Sequence, residues 1–244
     1  MANGYRAYAY VMKKSLRYAI VALVVVGLGL VVGPWTYINM IKDDAPTALT
    51  IDDDSDATIP SGSLDKEDIT NPNGQWFVAS GSESVVGYRV KEILFGQSTE
   101  GVGRTREVEG NLTIANNQVT NVAFTVQMGT LTSDAANRDR QFNGRIMDTS
   151  TYPTAAFTLT QPIALPANAI SGEIINVTAQ GDLTLRGTTR TVQFPLQAQV
   201  EGATFTVVGN ITIVFDEWGI PEPSLPGINV EPDGLLEFSL VFGR

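Results

Sequence analysis

Apolar side chains recur at every second position over much of this chain, and this period constrains its fold more than any other feature. Between Val122 and Met128 every second residue is apolar, and the same alternation returns between Val192 and Val200. A period of two is typical of a strand with one buried face and one exposed face. The pattern therefore predicts sheet structure, with the apolar faces of several strands turned toward one core.

Short polar or glycine-containing turns separate these segments. Asn116 and Asn117 fit a tight hairpin because asparagine tolerates the left-handed conformation, and Gly187 fits another because glycine adopts positive φ at little cost. Strands are predicted over 76–78, 85–90, 108–114, 119–128, 155–159, 174–185, 189–200, 204–215 and 235–242, with 96–103 as a glycine-rich connection. Many short strands without alternating helices predict an antiparallel barrel or sandwich.

One polar segment interrupts the strands. Residues 133–147 carry arginines and aspartates and are predicted to form a single short charged helix, capped by Ser133 or Asp134. The strands themselves pair an apolar face with a face of Thr, Gln and Asn, as in a sheet that is wet on one side. We therefore predict an all-β antiparallel barrel of about eight strands, with the helix closing one end or guarding its mouth. The pattern leaves open whether the interior is hollow or packed.

The residue types that are missing limit the chemistry. The chain has no cysteine and no histidine, which removes thiolate ligands, a cysteine nucleophile and the commonest general base at neutral pH. Catalysis would have to rely on carboxylates, such as Asp148 with Asp182 or Glu237, and nothing in the sequence marks two of them as partners. We therefore expect a protein that is not an enzyme and that has no metal site.

Charge and hydropathy divide the N-terminal part from the rest. The net charge of the chain is −10. Residues 1–41 hold four basic residues and no acidic one, so they contribute +4 and the rest of the chain carries −14. An acidic body argues against a nucleic-acid partner. The uncharged run 18–41 would span about 36 Å as a helix, against about 30 Å of hydrocarbon.

These features predict a transmembrane signal anchor over 18–41, with a basic cytoplasmic segment over 1–17 and the remainder of the chain outside the membrane. A cleaved secretory signal is the alternative, although no clear small-residue cleavage site follows the apolar run. Residues 42–75 are rich in Asp, Pro, Ser and Thr and predict an acidic flexible linker. The folded domain is predicted over 76–244, at a cell membrane and facing the periplasm or cell envelope.

Several short motifs then occur in a characteristic order. They are Ser84–Lys91 (SVVGYRVK), the strand 108–114 with Gly110, 130–134 (TLTSD) followed by Arg138-Asp139, 147–149 (MDT), 152–157 (YPTAAF), 181–190 (GDLTLRGTTR) and 218–220 (WGI). Together they resemble the YceI-like, or polyisoprenoid-binding, lipocalin-like family across roughly 76–242. Many members have a histidine soon after the position of Lys91, whereas this chain has Glu92 there, so any role of that histidine does not carry over.

The resemblance implies a deep apolar cavity that holds a long-chain isoprenoid, or a quinone-like ligand, without catalysis. Its walls are predicted from the inward strand positions Phe124, Val126, Met128, Phe157, Leu183, Leu185, Phe194, Leu196, Ile211, Ile213, Phe215 and Phe238. Arg138, Asp139 and Arg145 are candidate contacts for a polar head group, with ordinary ion pairs as the alternative. The alternative function is a structural or interaction module of the cell envelope whose barrel is packed and binds no ligand.

Overall fold

The structure is a computed structural model that describes residues 16, 18–23, 26, 45–51, 71–79, 84–94, 96–223 and 228–244. The strands are β1 Gly74–Val78, β2 Val85–Leu94, β3 Gln97–Thr105, β4 Val108–Ala115, β5 Gln118–Gln127, β6 Thr132–Ser133, β7 Thr154–Leu159, β8 Ile163–Ala164, β9 Ile175–Leu185, β10 Thr188–Glu201, β11 Thr204–Val214, β12 Ile228–Val230 and β13 Asp233–Gly243. The α-helix is α1, Ala136–Gln141, and short helical turns cover Met128–Thr130, Phe142–Ile146 and Phe215–Trp218.

The main sheet closes on itself as an antiparallel barrel. Its strands follow the order β1-β4-β5-β7-β9-β10-β11-β13, and β13 pairs back with β1. β13 also pairs with β2, where Phe238 lies opposite Val86. Because β1 and β2 share one position in the barrel, it has eight positions, which confirms the predicted all-β fold. β2 continues the sheet to β3 and then to β6.

The predicted alternation is confirmed on β5, with one local irregularity. Val122 and Val126 are buried, whereas Thr125 between them is exposed. Opposite β4 the register shifts, so that Thr113 faces Asn121 while the next residue faces Val119. The extra residue is a β-bulge, and it keeps Val119 and Val122 on the same inner face although they are three positions apart.

The two predicted hairpin turns are also confirmed. Asn116 and Asn117 have φ of 52° and 60°, in the left-handed region. Arg186 and Gly187 make the β9–β10 turn with φ of 47° and 74°. Two consecutive residues with positive φ form the kind of turn whose twist matches a two-residue hairpin.

Two local predictions are wrong. The segment 96–103 was predicted as a connection, but all of it except Gly96 belongs to strand β3, Gln97–Thr105. Its glycines are compatible with a strand because other side chains take the space beside them: a Cβ on Gly103 would lie 2.4 Å from the ring of Tyr88. The N-cap of α1 is Ala135, without a side-chain cap bond. Ser133 instead donates to the Asp139 carboxylate from its hydroxyl, at 2.6 Å, and from its backbone N–H, at 2.9 Å.

The N-terminal predictions concern residues that the structure describes only in part. Most of the predicted span 18–41 and all of 1–15 lie outside the described residues. Among the residues that are described, no helix is both long enough and apolar enough to cross a membrane. Of the predicted linker, 45–51 and 71–75 are described, and β1 begins at Gly74.

Trp76 shows how the barrel core is held at β1. It is 1% exposed, and its ring meets that of Phe205 edge to face at 4.5 Å. The indole N–H donates to the carbonyl of Pro72 at 2.9 Å, and the guanidinium of Arg244 lies 4.4 Å from the ring centroid. Trp76 therefore combines three stabilising features: a buried apolar ring, a hydrogen-bonded indole N–H and a cation over the ring.

We expect Trp76→Ala to lower the free energy of unfolding by about 3–5 kcal/mol, because it leaves a large cavity among buried side chains. The matched control is Phe77→Ala on the same strand, since Phe77 is 51% exposed and its loss should cost no more than about 0.5 kcal/mol. Urea unfolding followed by far-UV circular dichroism measures both. Equal losses for the two variants would contradict this account of the core.

Candidate functional site: the barrel interior and its helix-covered end

A chain of phenylalanine rings crosses the inside of the barrel. Phe124 lies 5.7 Å from Phe242 and 6.4 Å from Phe157, between ring centroids. Phe194 lies 5.6 Å from Phe157 and 5.9 Å from Phe238. Several of these contacts join strands that are not neighbours in the sheet, such as β7 with β10. The rings therefore point inward and meet across the concave face.

Three of these rings lie over glycines of a neighbouring strand. The pairs are Phe124 with Gly110, Phe157 with Gly181 and Phe238 with Gly209. A Cβ on Gly110 would lie 2.2 Å from the ring of Phe124, and one on Gly209 would lie 2.7 Å from the ring of Phe238. Bare backbone lets the rings lie close to the barrel wall. The interior is therefore wider at this level than it would be with larger residues beneath the rings.

The structure brings all twelve predicted lining residues into one apolar cluster. Those that are buried are Val126, Met128, Leu183, Leu185, Phe194, Ile211, Ile213, Phe215 and Phe238. The other three, Phe124, Phe157 and Leu196, pack against the cluster but are only half-buried. Because they face inward, the surface they keep accessible belongs to the interior side of the wall.

The prediction missed inward residues on β4 and at the end of β13. Leu112 is buried on β4, and Phe242, with 1% exposure, is among the most buried side chains. Both could have been found, because Leu112 alternates with Ile114 and Phe242 alternates with Phe238.

A polar group lies at the helix-covered end. Glu92 of β2 is 7% exposed and accepts a hydrogen bond of 2.9 Å from the guanidinium of Arg138 on α1. The same guanidinium bonds Asp134 and lies against Gly101, whose added Cβ would approach its Nε to 2.9 Å. Burial alone lowers the pKa of Arg138, but the charges of Glu92 and Asp134 outweigh it and raise that pKa. Arg138 therefore stays charged and joins the helix to the sheet.

Tyr88 forms the apolar side of this end. Its ring stacks on that of Phe142 with centroids 5.0 Å apart and planes 13° apart. Burial raises the pKa of Tyr88 to about 12, an effect opposed by Arg138 and by a hydrogen bond with Ser133. The phenol stays neutral at physiological pH. Neither Tyr88 nor Glu92 was predicted as a site residue from the sequence, because their contacts are with a helix more than forty residues away.

The three predicted head-group residues have different surroundings. Arg138 makes the helix-to-sheet ion pair with Glu92, and Asp139 accepts the two hydrogen bonds from Ser133. Arg145 donates from Nη1 to the carbonyl of Glu222 at 2.8 Å. Arg138 and Asp139 thus both lie near Tyr88, whereas Arg145 binds a loop carbonyl.

The carboxylates considered for catalysis lie in different networks. Asp148, in an exposed loop, has a pKa lowered by hydrogen bonds from Thr151 and Ser150. Asp182 accepts a hydrogen bond of 2.6 Å from Thr191. Glu237 is buried on the outer face of β13 and contacts two arginines. None of these contacts joins one of the three carboxylates to another.

The fold and the site together define a closed eight-position antiparallel barrel with an aromatic interior and a helix over one polar end. The model of the YceI-like domain matches residues 77–242, more than half of the chain. The chain belongs to the YceI-like family.

Solved structures agree with this assignment at the level of the fold. Burkholderia cenocepacia BcnA is 20% identical with a TM-score of 0.51, over 64% of this chain and 95% of that protein. A polyisoprenoid-binding domain from Saccharophagus degradans, implicated in plant cell wall breakdown, is 14% identical with a TM-score of 0.54, over 70% of this chain and 98% of that domain. No curated protein matches the chain.

The buried ion pair generates a stability prediction. Arg138→Met removes the guanidinium from the buried carboxylate of Glu92 and should cost about 3–5 kcal/mol of unfolding free energy. Adding Glu92→Leu should recover most of that loss, since no buried charge remains. The control Arg190→Met breaks an exposed pair with Glu217, worth no more than about 1 kcal/mol. Chemical unfolding of the single and double variants tests the coupling, and strictly additive losses would contradict it.

Tyr88 generates a pH prediction. Its folded pKa of about 12 exceeds the ordinary value of 10.0, so between these values the unfolded chain releases the phenol proton and the folded chain keeps it. The stability contributed by the neutral phenol is present below pH 10 and is lost as pH rises, by up to about 1.4 kcal/mol per pH unit. Between pH 10 and 12, the free energy of unfolding should therefore fall less steeply with pH for Tyr88→Phe than for the unsubstituted protein. Identical slopes would show that burial does not protect this proton.

Proposed function

We propose that this chain is a non-catalytic binding protein that holds a long-chain isoprenoid, or a similar amphipathic lipid, inside its barrel. Membership of the YceI-like family supports the binding role, and a related fold is described as a polyisoprenoid-binding domain. The proposal includes a tether through residues 18–41, with the barrel outside the cytoplasm. The support for the tether is the uncharged run and the basic segment that precedes it.

The observation that carries the proposal is the accessible surface of inward-facing apolar residues. Phe124, Phe157 and Leu196 lie mid-strand inside a closed barrel and remain half-buried. In a barrel filled by its own side chains these positions would be covered. A flexible apolar chain would cover them, and each buried CH₂ is worth about 0.8 kcal/mol. The glycines beneath Phe124 and Phe157 add width at the same level.

The charges at the helix-covered end favour a neutral head group. Arg138 is already engaged by Glu92 and Asp134, and Asp139 lies close enough to act on Tyr88. The charge of Arg138 is therefore already paired with carboxylates of this chain and is not left over for a pyrophosphate. A hydroxyl or carbonyl head group can instead exchange hydrogen bonds with the neutral phenol.

The packed-barrel alternative also has a specific observation in its favour. Phe194, Phe238 and Phe242 are buried and belong to one continuous chain of ring contacts. If the interior were filled, the outer face of the barrel would be left to perform an envelope or interaction role. The two functions differ in whether anything occupies the interior.

The test is native expression of the full chain, purification in detergent, and extraction of bound lipid for mass spectrometry. We expect a long-chain isoprenoid, of the quinone or alcohol kind, near one molecule per chain. Repeated extraction of no stoichiometric lipid, together with no binding of added polyprenol or quinone, would favour the packed alternative.

A glycine variant links this result to the interior. Gly209→Ala places a Cβ against the far edge of the Phe238 ring and 3.2 Å from the Cβ of Leu196, so the ring should tilt into the barrel. We expect lipid occupancy to fall severalfold while the stability changes by about 1–3 kcal/mol. The matched control is Gly243→Ala on β13, where the nearest atom is 3.8 Å away. Unchanged occupancy in Gly209→Ala would place the ligand elsewhere.

A further inference from the structure

A second charged cluster lies on the outer face of the barrel, away from the interior. Glu237 of β13 is 3% exposed and pairs with Arg89 at 3.2 Å and with Arg104 at 2.7 Å. Arg89 also pairs with Glu100 at 2.5 Å. Buried charges on an outer face are unusual, because that face normally meets water. Part of the chain must therefore cover them.

The segment 45–51 lies against this cluster. Arg89 donates from Nη2 to the carbonyl of Pro46 at 2.6 Å, and Arg104 donates from Nη2 to the carbonyl of Thr47 at 2.5 Å. All three nitrogens of Arg89 are then engaged, because its Nε binds Glu237 and its Nη1 binds Glu100. The carbonyls of the segment accept hydrogen bonds from the two arginines in addition to those that Glu100 and Glu237 accept. Both of these bonds are accepted by the backbone of the segment.

The attachment is narrow. Pro46, Thr47, Ala48 and Thr50 are exposed and Leu49 and Ile51 are half-buried, so no residue of the segment is fully buried against the barrel. Bonds from charged donors are stronger than neutral ones, but ordering each backbone residue opposes them. A segment of seven residues, none of them fully buried, forms a contact that can both form and open.

We propose that residues 45–51 are a latch that docks reversibly on the outer face of the barrel through Arg89 and Arg104. Docking gives the chain a second point of attachment to the barrel, in addition to β1, which begins at Gly74. The consequence for the predicted tether rests on the proposed function, whereas the docking does not.

The absence of cysteine makes a single spin label a clean test. Ala48→Cys carries the label in the full chain, in detergent, because Ala48 is exposed and the label will report on the backbone. We expect its electron paramagnetic resonance spectrum to show an immobilised and a mobile population. The mobile share should rise severalfold in Arg104→Gln, which removes the donor to Thr47 and keeps one toward Glu237.

The matched control is Arg190→Gln. Arg190 also binds a carboxylate and a backbone carbonyl, both of Glu217, on a different hairpin, so its loss should leave the label unchanged. Near-UV circular dichroism checks that each variant is folded. If Arg104→Gln disrupts the fold, Arg104→Lys replaces it, since lysine keeps the charge but lacks the fork that serves two acceptors.

Two outcomes would overturn the latch. One is a fully mobile label in the Ala48→Cys chain that keeps both arginines. The other is a label whose mobility is the same with and without Arg104. Lipid occupancy, measured on the same preparations, reports separately on the proposed binding function. Loss of the latch with lipid retained, or the reverse, distinguishes failure of one proposal from failure of the other.

Discussion

The double pairing of β13 is the constraint on which the rest of the structure depends. Residues 235–239 pair with β2 and residues 242–243 pair with β1, while the other edge of β13 pairs with β11. This closes the sheet, so the principal strands have no open edge to protect. Closure also makes one face of every strand line the same barrel interior. Apolar residues on separate strands, such as Phe124 and Phe242, can then touch although two strands, β4 and β1, lie between them.

Large and small residues inside the barrel are matched across strands. Gly110 lies directly opposite Phe124 in the β4–β5 pairing, and Gly209 lies opposite Phe238 in the β11–β13 pairing. A glycine in a strand weakens it locally, yet here it lets a large ring lie over the backbone. The cost in strand propensity is offset by ring burial, and the interior gains width where the half-buried rings are found.

This matching also explains what could be predicted. The strands and the twelve lining residues follow from alternation, which is local, and closure then brings all of them together. β3 was missed because Gly101 and Gly103 offer no alternation, and the side chains beside them, Arg138 and Tyr88, come from other elements. The pair of Glu92 with Arg138 was missed for the same reason. Alternation assigns a residue to a face, but it does not reveal a partner from a distant segment.

The helix-covered end is better understood as a fixed cap than as a gate. Lifting α1 would separate Arg138 from Glu92, a buried carboxylate, and breaking such a pair costs about 3–5 kcal/mol. It would also part the stacked rings of Tyr88 and Phe142. Both contacts hold the helix and the turn that follows it to β2, so they would have to open together. The helix α1 is therefore a fixed part of the barrel end that it covers.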